Sequence, residues 1–122
     1  MKTSLSLTQR AADDIQAIFD HSIHEWGKAT AEKYLTAIQS GIDRIQADPS
    51  LLDILPDFDS NLQFYRINKH LLVCDVKSES IIVVTVIHGS MDIPTRLAEL
   101  IPALSAEVEM LHQRLWRGRS PR

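Results

Sequence analysis

Cysteine is all but missing from this chain of 122 residues, where Cys74 is the single example. One cysteine excludes an intramolecular disulfide and any cysteine-cluster metal site. Its place inside an apolar, strand-like run reads as a small buried hydrophobe and not as a reactive thiol. Four glycines and five prolines are too few for a fibrous or low-complexity chain. Long apolar runs are absent too. The longest, Ile81 to Ile87, is interrupted by Thr85 and has strand length, well short of the roughly 20 residues that span a bilayer. The opening stretch, Met1 to Leu7, carries no signal-peptide apolar region, so the expectation is a cytoplasmic protein with no membrane partner. Phosphate-binding loops, zinc spacings and nucleophile elbows do not occur. The five histidines do not pair with carboxylates at ligand spacing, and no serine has an evident His/Asp relay. No cofactor, no metal and no catalytic residue are therefore expected.

Charge is modest in sum and uneven in place. A net charge of −3 argues against a protein that coats nucleic acid. Residues 1–60 hold 10 acids and 5 bases, whereas residues 61–122 hold 6 acids and 8 bases, with Arg114, Arg117, Arg119 and Arg122 crowded at the end. This pattern suits an acidic helical half and a second half with a cationic edge.

The hydrophobic periods give the element order. Lys2 to Leu7 alternates and reads as a strand. Thr8 is placed to cap a helix whose stripe is Ala11, Ile15, Ile18, Phe19, Ser22, Ile23 and Trp26, with Asp13, Asp14 and Asp20 off it. Gly27 stops it, and a second stripe, Ala31, Tyr34, Leu35, Ile38, Ile42 and Ile45, runs to Asp48-Pro49. So short a joint predicts an antiparallel helical hairpin, with Trp26 and Tyr34 in the core. Residues 49–60 read as a loop with one helical turn. Three strands follow at Leu62–Ile67, Leu71–Val76 and Ile81–His88, joined by turns at Asn68-Lys69-His70 and Lys77–Ser80. The last strand is β-branched throughout, as expected of a strand buried on both faces. From Asp92, a candidate cap, the period is helical again. Leu97, Ile101, Leu104, Val108, Leu111 and Leu115 are spaced 4, 3, 4, 3 and 4, an a/d seam that Pro102 should kink or split. The predicted fold class is α+β: an N-terminal strand and a helical hairpin packed on a mostly antiparallel sheet (β-α-α-β-β-β), plus a C-terminal helical extension. Residues 1–93 form the core unit, and residues 94–122 are either part of it or an oligomerisation element. The seam allows fold-back over the sheet, which Pro102 favours, or a homodimer, which the strict 4-3 spacing favours.

Two features resist a purely structural reading. Arg66 lies inside a strand on the face of Leu62 and Phe64, so it must pair with an acid such as Asp75 or Asp92, or face a partner. His88-Gly89-Ser90-Met91-Asp92 ends the most buried strand, where a rigid scaffold often carries function.

Glu25-Trp26-Gly27 closing the first helix, Tyr34-Leu35 with Ile38 and Gly41-Ile42 in the second, Phe64-Tyr65-Arg66-Ile67, and the ending from Val86 to Leu97 together resemble the ParE-type toxins of the RelE/ParE superfamily, over about residues 4–100. The resemblance implies the same hairpin-on-sheet fold. It also implies a toxin neutralised by a cognate ParD-like antitoxin whose amphipathic segment lies in a groove between hairpin and sheet, with DNA reached only through that antitoxin. ParE-like members act on DNA gyrase by binding, without chemistry of their own. RelE-type relatives instead cleave mRNA on the ribosome through a basic cleft, usually with a C-terminal tyrosine or histidine. This chain has no tyrosine after Tyr65 and is acidic overall, which favours the non-enzymatic branch. A third reading is a non-toxic partner that only binds the antitoxin. The expected binding surface for target and antitoxin is the cationic edge formed by Arg66, Lys69, His70, His88, Met91, Asp92 and Arg96. A toxin–antitoxin hetero-oligomer is the alternative to a homodimer through the seam.

Overall fold

In the computed structural model, the described residues are 3–54, 62–89 and 93–119, with side chains described to residue 117. The chain forms β1 (Ser4–Leu7), α1 (Gln9–Trp26), α2 (Lys28–Ala47), a single 3-10 turn at Pro49–Leu51, β2 (Leu62–Ile67), β3 (His70–Lys77), β4 (Ser80–His88) and α3 (Ile93–Arg119). The sheet order is β1-β4-β3-β2. β2, β3 and β4 are antiparallel neighbours, as their short turns require, and β1 adds to β4 in parallel. The α1–α2 hairpin covers one face, where Ile38, Ile42 and Ile45 meet Leu72, Cys74, Ile81, Val83 and Val86. α3 covers the other, packing on Phe64, Leu71, Val73, Ile82, Val84 and Ile87. β4 lies between both layers and is buried from Ser80 to Ile87, which is why its sequence is apolar without alternation.

α1 takes over the hydrogen bonding of β4 where β1 stops. Thr8 accepts from the Ala11 amide, as an N-cap should, while its hydroxyl donates to the Val84 carbonyl at 2.7 Å. Two turns on, Asp14 accepts from the Val86 amide at 3.0 Å and from the Thr85 hydroxyl, and pairs with Arg10. Val84 is the extra residue of a bulge opposite Val73/Cys74, so this stretch of β4 needs such partners. Asp14, expected on the solvent side, therefore closes the edge of a strand.

Trp26 is 68 % exposed instead of buried, because the stripe of α1 outruns the sheet beneath it. Tyr34 packs partly buried against the core, as expected. Pro102 does not split α3, which is one helix from Ile93 to Arg119. Proline deprives the Ala98 carbonyl of its partner, but both residues are exposed and water can replace the lost bond. The seam of α3 faces the sheet of its own chain. Leu97, Val108 and Leu111 are buried there, and Ile101, Leu104 and Leu115 pack against the same cluster. Pairing with a second copy through this seam would require α3 to leave the sheet. No helix among the described residues is long and apolar enough to cross a membrane.

Candidate docking rim at the end of the sheet

Three elements end at one rim of the sheet: the β2–β3 turn, the end of β4 and the middle of α2. The turn is closed by Asn68 in the left-handed region (φ 53), which asparagine tolerates better than most residues. The Gly89 amide donates to the Lys69 carbonyl at 2.8 Å, tying the turn to the end of β4. Gly41 lets α2 approach β2, since a Cβ there would stand 2.5 Å from Ile67 Cδ1 and 3.2 Å from the Tyr65 ring. Tyr34, seven residues earlier on the same helix face, is thereby brought to the rim.

Tyr34 donates its hydroxyl to the Ile67 carbonyl at 3.1 Å and lies 2.5 Å from His70 Nδ1. A phenol has one proton, so with that proton on the carbonyl it accepts from His70 Nδ1–H, leaving Nε2 as the lone-pair nitrogen. Burial lowers the His70 pKa, and repulsion from His88 and then His21 lowers it further. Burial raises the Tyr34 pKa against the opposing effect of a Lys69 backbone hydrogen bond. His70 and His88 are directly paired across β3 and β4, with ring centroids 5.4 Å apart and edge-on. All three rings lie on the hairpin side of the sheet.

Arg66 leaves on the opposite side. Along β2, Leu62 and Phe64 belong to the α3 layer and Tyr65 and Ile67 to the hairpin layer, so Arg66 points with the first pair. Its guanidinium rests against Gly89, where a Cβ would meet Nη1 at 2.5 Å. Among the described residues no carboxylate forms an ion pair with Arg66. Asp75, one of the two acids expected to pair with it, is engaged elsewhere. Lys69 is exposed in the turn. Arg96, in the first turn of α3, is partly buried with its Nε unpartnered. Met91 and Asp92 lie outside the described residues. The rim thus gathers Arg66, Lys69, His70 and His88 at one end of the sheet but splits them between its faces.

A second polar cluster was not foreseen. His112 of α3, 4 % exposed, donates Nε2–H to Asp75 Oδ1 at 2.8 Å, and its Nδ1 meets Ser80 Oγ at 2.5 Å. These are the residue types of a hydrolase relay. The serine and imidazole are sealed under α3, however, and lifting the helix to admit a substrate would carry His112 away. The cluster serves as a clasp. Its partners come from 32 and 37 residues away in sequence, so no local spacing could have signalled it. Among the described residues no group of three or more His, Cys, Asp or Glu could hold a metal. Cys74 is buried, and burial followed by the charge of Asp75 pushes its thiol up to about 12.

Residues 5–93 match the family described as the ParE toxin of the type II toxin–antitoxin system parDE. The chain is similar to Toxin ParE of Escherichia coli, with 30% identity over 98 residues, 80% of this chain and 95% of that protein. It is also similar in fold to a solved chain of the chromosomal ParDE system from P. aeruginosa, at 21% identity with a TM-score of 0.63, covering 71% of this chain and 96% of that one. A chain of the RelBE2 toxin–antitoxin complex from Mycobacterium tuberculosis is more distant, at 12% identity with a TM-score of 0.55, covering 72% of this chain and 92% of that one. The hairpin, all of the sheet but Ser4, and the rim residues Arg66, Lys69, His70 and His88 fall within the matched segment, and the chain belongs to the ParE toxin family of type II toxin–antitoxin systems.

Proposed function

We propose that this toxin inhibits DNA gyrase by direct docking and that a cognate ParD-like antitoxin neutralises it, with DNA contacted only through the antitoxin. The observation that carries this reading is Arg66, an exposed residue whose guanidinium lies against Gly89 and which has no ion-pair partner among the described carboxylates. An exposed arginine at the end of a rigid sheet suits an interface, where arginine often dominates binding energy. Lys69, His70, His88 and Arg96, with Met91 and Asp92 in the adjoining segment, complete the docking surface. The solved chains of similar fold come from a ParDE system and a RelBE2 toxin–antitoxin complex, which supports an antitoxin partner. Purified protein should block gyrase supercoiling in vitro. Arg66→Ala should fold normally and lose inhibition at least about tenfold, the loss of a ~1.4 kcal/mol contact. Unaffected supercoiling at micromolar toxin removes the target, and full potency in Arg66→Ala removes the surface. Expression without growth arrest in a susceptible host supports the non-toxic antitoxin-binding reading instead.

One observation favours the ribonuclease reading: a lowered-pKa imidazole oriented by a phenol, as acid–base chemistry on RNA would need. The placement of Arg66 on the other side of the sheet opposes it, because charge stabilisation and proton transfer must converge on one phosphate. Transcript cleavage on translating ribosomes that His70→Ala abolishes would establish it.

A further inference from the structure

The family match ends at residue 93, where α3 begins, and the similar solved chain from P. aeruginosa is 96% covered by 71% of this one. Most of α3 is therefore an addition to the toxin fold. It is also unusually well fastened. Its apolar seam fills the second sheet face, against Leu62, Phe64, Leu71, Val73, Ile82 and Val84. Three polar side chains hold it in register. Glu107 Oε2 accepts from the Gln9 amide at 2.8 Å, placing a carboxylate at the positive end of α1. Glu109 bonds Lys77, and His112 bonds Asp75 and Ser80. All of these acceptors and donors on the toxin side lie in the family-matched segment.

We propose that α3 stands in for a partner's amphipathic helix. The second face of the sheet is a helix-docking face, matched to leucines and isoleucines at 4-3 spacing with carboxylates opposite Lys77 and the start of α1. This chain fills it from its own C-terminal segment, so a separate antitoxin engages the toxin at other surfaces. The last clause rests on the toxin reading above; the occupancy of the face does not. A tethered helix competes at high effective concentration against any helix in solution, so the face stays closed to outside ligands.

The test uses a fluorescein-labelled synthetic peptide of residues 93–117 as the probe. The full chain should show no saturable binding, while a full-length Leu104→Asp/Leu111→Asp variant, whose own helix is loosened, should bind the peptide. Saturable binding by the unaltered chain, or none by a folded variant, overturns the proposal. Should the variant fail to fold, zero-length carbodiimide coupling of the unaltered chain decides. A Lys77–Glu109 amide within one chain supports a docked α3, and its absence, or a link between two chains, overturns it. Neither experiment involves gyrase or antitoxin, so failure here leaves the toxin reading intact, and failure of that reading leaves the closed face intact.

Discussion

The hairpin face and the α3 face of the sheet are both closed by apolar side chains, yet they are anchored differently. On the hairpin side, Thr8 and Asp14 bond directly to the backbone or side chains of β4 at Val84, Thr85 and Val86, beside a bulge. Those helix residues complete the strand itself. On the α3 side, the helix is held by side-chain clasps at Lys77, Asp75 and Ser80 near the β3–β4 turn, and by Glu107 at α1. These contacts position a cover and leave the strand pairing alone. The hairpin is part of the sheet's hydrogen-bond closure, while α3 is a lid added to a finished scaffold.

The largest effect should come from emptying the lid side. Phe64, on the edge strand β2, is 2 % exposed within that layer. Phe64→Ala should destabilise the chain by about 3–5 kcal/mol by transfer and cavity terms, read by denaturant titration. A loss under about 1 kcal/mol would mean that α3 does not pack on this face in solution.

Removing one anchor from each side sharpens the contrast. Asp14→Ala leaves the Val86 amide and the Thr85 hydroxyl without their acceptor, at a cost of about 2–3 kcal/mol. Exchange should rise throughout β4 and α1. His112→Ala should cost about 1–2 kcal/mol, since Asp75 is partly exposed and can be hydrated. Its amide exchange should rise in α3 and leave β4 protected. Equal spread of exchange in the two variants would erase the distinction between closure and lid.

Much of this was legible in the chain. β2 is found at Leu62–Ile67 as its alternation predicts, and the β-branched run of β4 announced burial on both faces. The hairpin followed from two stripes meeting at Gly27, whose φ of 91 permits the abrupt change of direction. Three of the failures share one cause. Trp26, Asp14 and His112 depend on what lies opposite them in space, and a stripe does not say where the surface beneath it ends. The parallel pairing of β1 with β4 was hidden because it joins residues about 76 apart, such as Ser4 and Ser80. Arg66, Lys69, His70 and His88 lie at one end of the sheet, but alternation within β2 had already placed Arg66 and Ile67 on opposite faces, which separates Arg66 from the imidazoles.

The smallest effect concerns the hairpin side of the rim and is one of pH. The His70 pKa lies below its ordinary value of 6.5, first through burial and then through repulsion from His88 and His21. Between 6.5 and the lowered value, the unfolded chain binds a proton that the folded chain does not. Stability from this site is thus fully present above pH 6.5 and drains away as the pH falls through the folded value. In His70→Gln the slope should disappear. The stability difference between parent and variant should be constant above about pH 7, and should shift against the parent on acidification. His88→Gln should in turn make the parent slope shallower, because a charged neighbour at 5.4 Å no longer opposes protonation of His70. Parallel pH profiles for parent and His70→Gln would show that His70 titrates alike in both states, and that burial beside His88 does not hold it neutral.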